Sequence, residues 1–241
     1  MSADPYRLLG RRSEGIFVKL ADPATVELAA RHFDFLVVDR EHSQLSEAQA
    51  LALLTHADLL GTPALLRLPE LDRGQVNRAL EAGAAGIQLS TVTRPEEVAD
   101  LREQLEYAPG GRRSISLGHR GGEYGAMALD AYLEHSRRRA LAVVQVETAL
   151  APEGYAAIAA AGPDAIFIGT QDLLVDCGLD RGRRDAEIEA IAAAAAAAKV
   201  PLGGFALGHR ADVKLSITAG DSSLLAAAMR DAAASAREEE R

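Results

Sequence analysis

The feature that most constrains this chain is an alternation, repeated from one end to the other, of a short apolar run and a longer amphipathic stretch. The apolar runs fall at 15–20, 34–39, 64–68, 86–92, 141–148, 165–169, 202–206 and 214–219. Between them, 23–31, 46–57, 73–82, 95–105 and 185–198 read as helices, several opened by Asp, Ser or Pro and closed by Gly. Such alternation predicts parallel strands covered by helices.

The runs are apolar on both faces, as Phe35-Leu36-Val37-Val38 and Ala165-Ile166-Phe167-Ile168 show. That suits a sheet buried on each side. A doubly wound open sheet would read in the same way, but two features select a (β/α)8 TIM barrel. Eight runs is the barrel count, and polar residues gather just past the C-terminal ends of several of them, where barrel active sites are assembled. The length of 241 residues matches a single barrel, so 1–241 is expected to be one domain. Two places fit less well: the Gly- and Arg-rich connection 107–127, and 209–213, which leaves little room for a helix before the eighth run.

Composition enters as a set of exclusions. A formal net charge of −9 and few aromatic residues disfavour nucleic-acid partners, which need a basic face and stacking platforms. Anionic small molecules stay compatible, since a local arginine or metal can reverse the field inside a pocket. The single Cys177 allows no internal disulfide. No secretory leader pattern opens the chain and the Ala-rich 191–198 is too short to span a bilayer, so no membrane partner and a cytoplasmic location are expected.

Four polar clusters sit at the ends of runs. Asp39-Arg40-Glu41-His42 offers a histidine with a pKa near working pH and neighbouring carboxylates, although taken alone the string also reads as a solvated loop. Arg67, inside Leu65-Leu66-Arg67-Leu68, needs a partner; it reads equally as an oxyanion stabiliser or half of a structural ion pair. In Gln145-Val146-Glu147-Thr148, period-two alternation puts Gln145 and Glu147 on one face, and a carboxylate in a barrel mouth is costly unless paired or bound to a cation. In Gly169-Thr170-Gln171-Asp172, Asp172 reads as a second oxygen ligand or a helix cap, and Gly169 lets backbone amides approach an anion. Two carboxylates completed by water and substrate describe an open site for Mg or Mn, not a zinc site. Arg112 and Arg113 read as anion ligands or a solvated pair, and His119 lies where it could reach a pocket.

Taken in order, FDFLVVDREH, LLRLP, GIQLSTV, YAPGGRRS, VVQVET and IFIGTQDL resemble the HpcH/HpaI aldolase family of class II pyruvate aldolases and related lyases, from about Gly15 to Asp180. The resemblance implies a divalent metal on Glu147 and Asp172, catalysis by His42 and Arg67 with Asp39 helping to hold the histidine, and substrate contacts from Gln145, Gly169, Thr170, Arg40 and Ser90. It implies metal-dependent cleavage of a 4-hydroxy-2-oxo acid to pyruvate and an aldehyde through an enolate, and the reverse addition. The alternatives are decarboxylation of oxaloacetate or a related 2-oxo diacid, or a silent barrel serving as a binding subunit. It also implies a homo-oligomer, a hexamer or trimer of dimers, exchanging the C-terminal helix 222–236. The chain departs from the family pattern with Arg40 for Gly, Ser90 for Pro, Thr170-Gln171 for Pro-Ala or Pro-Ser, and Arg113-Ser114-Ile115-Ser116 for R-G-x-G.

Overall fold

Eight short strands pair in parallel and close on themselves in the computed structural model, which describes residues 4–136 and 140–239. They are β1 Ser13–Val18, β2 Phe35–Asp39, β3 Ala64–Leu68, β4 Gly86–Leu89, β5 Leu141–Val146, β6 Ala165–Ile168, β7 Leu202–Phe205 and β8 Val213–Gly220. Each pairs with the next and β8 returns to β1, which gives the (β/α)8 barrel. The eight expected runs are all strands, but β4 and β5 end earlier than their apolar runs. Thr91 turns into the left-handed region at φ 52°, and Val92 N–H bonds to the Gln145 carbonyl, so the chain leaves the sheet at the rim.

A short helix α1, Arg7–Gly10, precedes the barrel, and α2 Pro23–Ala30, α3 Glu47–Leu59, α4 Arg73–Glu81 and α5 Pro95–Leu105 follow β1 to β4. Side-chain caps by Asp22, Ser46 and Asp72 satisfy amides that open α2, α3 and α4. Beyond come α6 Leu129–Ser136, α7 Pro152–Ala160, α8 Thr170–Asp176, α9 Arg181–Ala197 and the C-terminal α10 Asp221–Glu239. The connection 107–127 carries a 3-10 helix at Arg120–Gly125 and lies beside Pro63, Ala84 and Ala140, at the end of the barrel where strands begin.

Period-two alternation divides the apolar residues into two buried layers. Phe17, Phe35, Val37, Leu65, Leu141, Val143, Phe167, Leu215 and Ile217 fill the interior, and Leu8 of α1 closes its floor. Their neighbours, such as Leu36, Val38, Leu66 and Ile166, pack outward against the helices. Gly15 permits this filling: a Cβ there would lie 2.4 Å from the Phe35 ring. No helix intervenes between β7 and β8. Leu207 instead folds back over β7, so that a Cβ on Gly204 would meet its Cδ1 at 2.5 Å.

Candidate active site

The interior changes from apolar to polar at one level of the barrel. Asp39, Arg67 and Gln88 are register partners on β2, β3 and β4, each two residues beyond the preceding inward position, Val37, Leu65 and Gly86. Asp39 is fully buried, and Arg67 grips it with two hydrogen bonds, Nε to Oδ1 at 2.9 Å and Nη2 to Oδ2 at 2.6 Å. Lys19 Nζ lies 3.2 Å from Oδ2, while the backbone amides of Glu41 and His42 each donate to Oδ1 at 3.0 Å. Burial works to raise the Asp39 pKa, but the bonds and charge of Arg67, the His42 amide and Lys19 outweigh it and hold the carboxyl below its ordinary range. Arg67 also approaches Glu41 at 3.3 Å and stacks 4.5 Å from the Phe17 ring centre. Its partner is therefore a carboxylate, and the pairing fixes where the guanidinium sits.

Next to Arg67, across β4 and β5, hydrogen bonds run in one direction toward Glu147. Gln88 Nε2 donates to Gln145 Oε1 at 2.6 Å, and Gln145 Nε2 donates to Glu147 Oε2. The other carboxylate oxygen accepts from Thr91, from its amide at 3.0 Å and its hydroxyl at 2.6 Å. Glu147 is only 6% exposed, and burial raises its pKa despite these donors, with the charges of Asp172 and Glu41 pushing the same way. Gly169 is needed beside it, since a Cβ there would lie 2.3 Å from Oε2. A buried carboxylate in the field of a second one is a hard-oxygen donor set that a divalent cation would relieve of its charge, so these residues fit such an ion. Among the described residues no group of three His, Cys, Asp or Glu side chains forms a closed cage, which leaves the remaining positions of such an ion to water and substrate.

A cavity of about 140 Å3 opens at this rim and brings together His42, Arg67, Gln145, Gly169, Thr170 and Asp172. Its remaining lining includes Phe17, Lys19, Phe167, Gln171 and Phe205. His42 is 55% exposed, with Nε2 3.8 Å from Glu41 Oε2, and Asp39 reaches it through its backbone amide and not its ring. Thr170 Oγ1 donates to the Phe205 carbonyl at 3.1 Å. Ser90, Glu147 and Asp39 lie behind the lining, with Ser90 donating to Glu41 at 2.6 Å. Arg40 is not among the lining residues: its guanidinium bonds to the Leu45 carbonyl and to Gln75 at 3.4 Å. Arg112 pairs with Asp100 and Glu103, Arg113 stacks on Tyr107, and His119 bonds within its own loop, all away from this cavity.

Sequence reasoning passed over Gln88, Thr91, Lys19 and the aromatic wall. Gln88 had a usable signal, an amide inside an apolar strand at the same inward level as Arg67. Thr91 had none, because nothing in its neighbours announces a left-handed turn.

A closed (β/α)8 barrel whose strand ends gather a buried arginine, a histidine and two carboxylates defines a barrel enzyme with its site at the usual C-terminal face. The chain belongs to the HpcH/HpaI aldolase/citrate lyase family, which matches over residues 13–216. It is thereby a carbon–carbon lyase. Among curated relatives, it is 32% identical over 203 residues to the 4-hydroxy-2-oxovalerate aldolase of Rhodococcus jostii, covering 80% of this chain and 76% of that one. It is 31% identical over 171 residues to the hydroxypyruvate/pyruvate aldolase of Sagittula stellata, covering 70% and 67%. A solved family member from Burkholderia cenocepacia superposes with a TM-score of 0.87 at 25% identity, covering 97% of this chain and 98% of that one.

Proposed function

We propose that this lyase cleaves a 4-hydroxy-2-oxo acid to pyruvate and an aldehyde, and catalyses the reverse addition, with a divalent cation held by Glu147 and Asp172. The observation that carries the reading is the convergence of Arg67, His42, Gln145 and Asp172 on one small cavity with Glu147 buried directly behind it. The names of the aldolase relatives support it as well.

When bound, a Mg or Mn ion supplies Lewis-acid charge to the 2-oxo and carboxylate oxygens of the substrate. Arg67, locked by Asp39, offers a fixed cation to the oxygen that becomes negative as the C3–C4 bond breaks. His42, through a water, takes the C4 hydroxyl proton in cleavage and returns it in addition. Phe17, Phe167 and Phe205 limit water around the reacting carbons. Thr170 and Gly169 shape the wall behind the oxo acid.

Decarboxylation of a 2-oxo diacid is the second reading, and the exposure of the His42 ring favours keeping it. That reaction needs no acceptor for a hydroxyl proton. Pyruvate release would be measured from a panel of 4-hydroxy-2-oxo acids and oxaloacetate, with and without Mn or Mg, for the wild type and His42→Ala. Metal-dependent cleavage of a hydroxy-oxo acid, reduced about a hundredfold or more in the variant, is the expected result. Decarboxylation alone, unchanged by the substitution, would replace the aldolase reading.

A further inference from the structure

A complete (β/α)8 barrel covers each strand with a helix, but here seven residues, 206–212, join β7 to β8 and form none. The gap is not filled. Between this connection and the first half of α9 lies a second cavity of about 420 Å3, three times the size of the first. The two cavities share Thr170 and Phe205, whose hydroxyl–carbonyl hydrogen bond forms a sill between them. Ala206 takes a left-handed φ of 57° as the chain turns off β7, and its amide bonds back to the Ile217 carbonyl at 2.8 Å. The connection is thus pinned to the barrel and does not fall into the gap.

The chemistry of the larger cavity is balanced. Arg184 is paired with Asp185, and Arg210 is held between Glu189 and Asp212. Ile188 and Leu207 supply apolar floor, and His209 adds an imidazole. A further charge would find cations already neutralised, and a hydrocarbon would strand ion-paired groups without their water. Hydroxyl groups can both donate to the carboxylates and accept from the guanidinium of Arg184.

We propose that this groove is a second subsite, which receives the uncharged, polyhydroxylated tail of the aldehyde partner after it passes over the Thr170–Phe205 sill. This assignment rests on the aldolase reading above and makes the preferred acceptors longer than the first cavity alone would hold. Arg184 and His209 are then specificity-determining residues.

The test is addition of pyruvate in the presence of Mn to glycolaldehyde, D-glyceraldehyde, D-erythrose and butanal, for the wild type, Arg184→Ala and His209→Trp. Both variants change side chains that are at least partly exposed, and a thermal melt checks that each stays folded. The expected result is a kcat/KM about tenfold higher for erythrose than for glycolaldehyde, the worth of one or two hydrogen bonds, with no such gain for butanal. The erythrose-to-glycolaldehyde ratio should fall by about that factor in both variants. A ratio near one in the wild type, a ratio unmoved by either substitution, or an equal gain for butanal would overturn the subsite while leaving the reaction in place. Absence of bond formation with every aldehyde would overturn the reaction, and the subsite with it.

Discussion

Single residues at this rim owe their chemistry to their partners, and Asp39 shows it most directly. Its folded pKa lies below the ordinary value of 3.8, so the Asp39–Arg67 pair contributes stability that is complete above about pH 4 and is lost as pH falls through the folded value. Replacing Asp39 with Asn removes the two-pronged partner of a buried guanidinium and leaves it only Glu41 at 3.3 Å, which costs about 3 kcal/mol at neutral pH. The same change should flatten the decline in stability as pH falls below about 4, leaving the shares of Asp34 and Asp212, whose carboxyls are also held low by arginines. Urea midpoints measured across this range would check both effects; parallel curves for wild type and variant would exclude Asp39 as a source of the acid sensitivity. The pairing was one of two readings open for Arg67 from sequence. Only the fold shows that the ion pair also aims the arginine, because Asp39 is a register neighbour on the adjacent strand.

Elements act here through the strand pair β4–β5. Gln88 is fully buried and its Oε1 has no hydrogen-bond partner, a cost that an aliphatic side chain would not incur. Its other end donates to Gln145, which in turn donates to Glu147. The amide therefore sets the orientation of Gln145 across the strand pair. Gln88→Leu removes that orphan but leaves the buried Gln145 Oε1 without its donor, so the variant should fold within about 1–2 kcal/mol of the wild type and bind Mn about tenfold more weakly, as expected when an outer partner of a ligand is removed. Calorimetric titration with Mn would read this, and an unchanged affinity would show that Gln145 holds its place unaided. The helices were mostly legible, since their caps are local: Asp22, Ser46 and Asp72 stand where the sequence places the openings of α2, α3 and α4.

For the whole molecule, α10 is the element with the largest unpacked apolar face. Among its described residues only Asp221, at its start, is buried, and Leu224, Leu225 and Met229 are exposed along it. The first two also border an apolar cavity of about 350 Å3 against Leu28 and Phe33 of the α2 region. We propose that a second copy of the chain covers this surface, in line with the oligomer and helix exchange that the resemblance implies. Light scattering should give a mass of several subunits, reduced by the pair Leu225→Asp and Met229→Asp. A wild-type mass of 25.4 kDa would exclude the assembly. No helix among the described residues is long and apolar enough to cross a membrane.

Local chemistry by itself determined the barrel: strand count, periodicity and caps depend on residues close in the chain, and the polar clusters announce themselves at strand ends. It also named His42, Arg67, Gln145, Gly169, Thr170 and Asp172 as candidates, with the family resemblance choosing among their readings; these residues line one cavity. What only the tertiary structure decided were relations across strands. Arg40 turns to Leu45 and Gln75 instead of the mouth, Thr91 bends back to cap Glu147, and the missing helix becomes a cavity instead of a collapsed gap. Apart from the local Arg40–Leu45 bond, these relations rest on hydrogen bonds between segments far apart in sequence, whose geometry exists only once the barrel has closed.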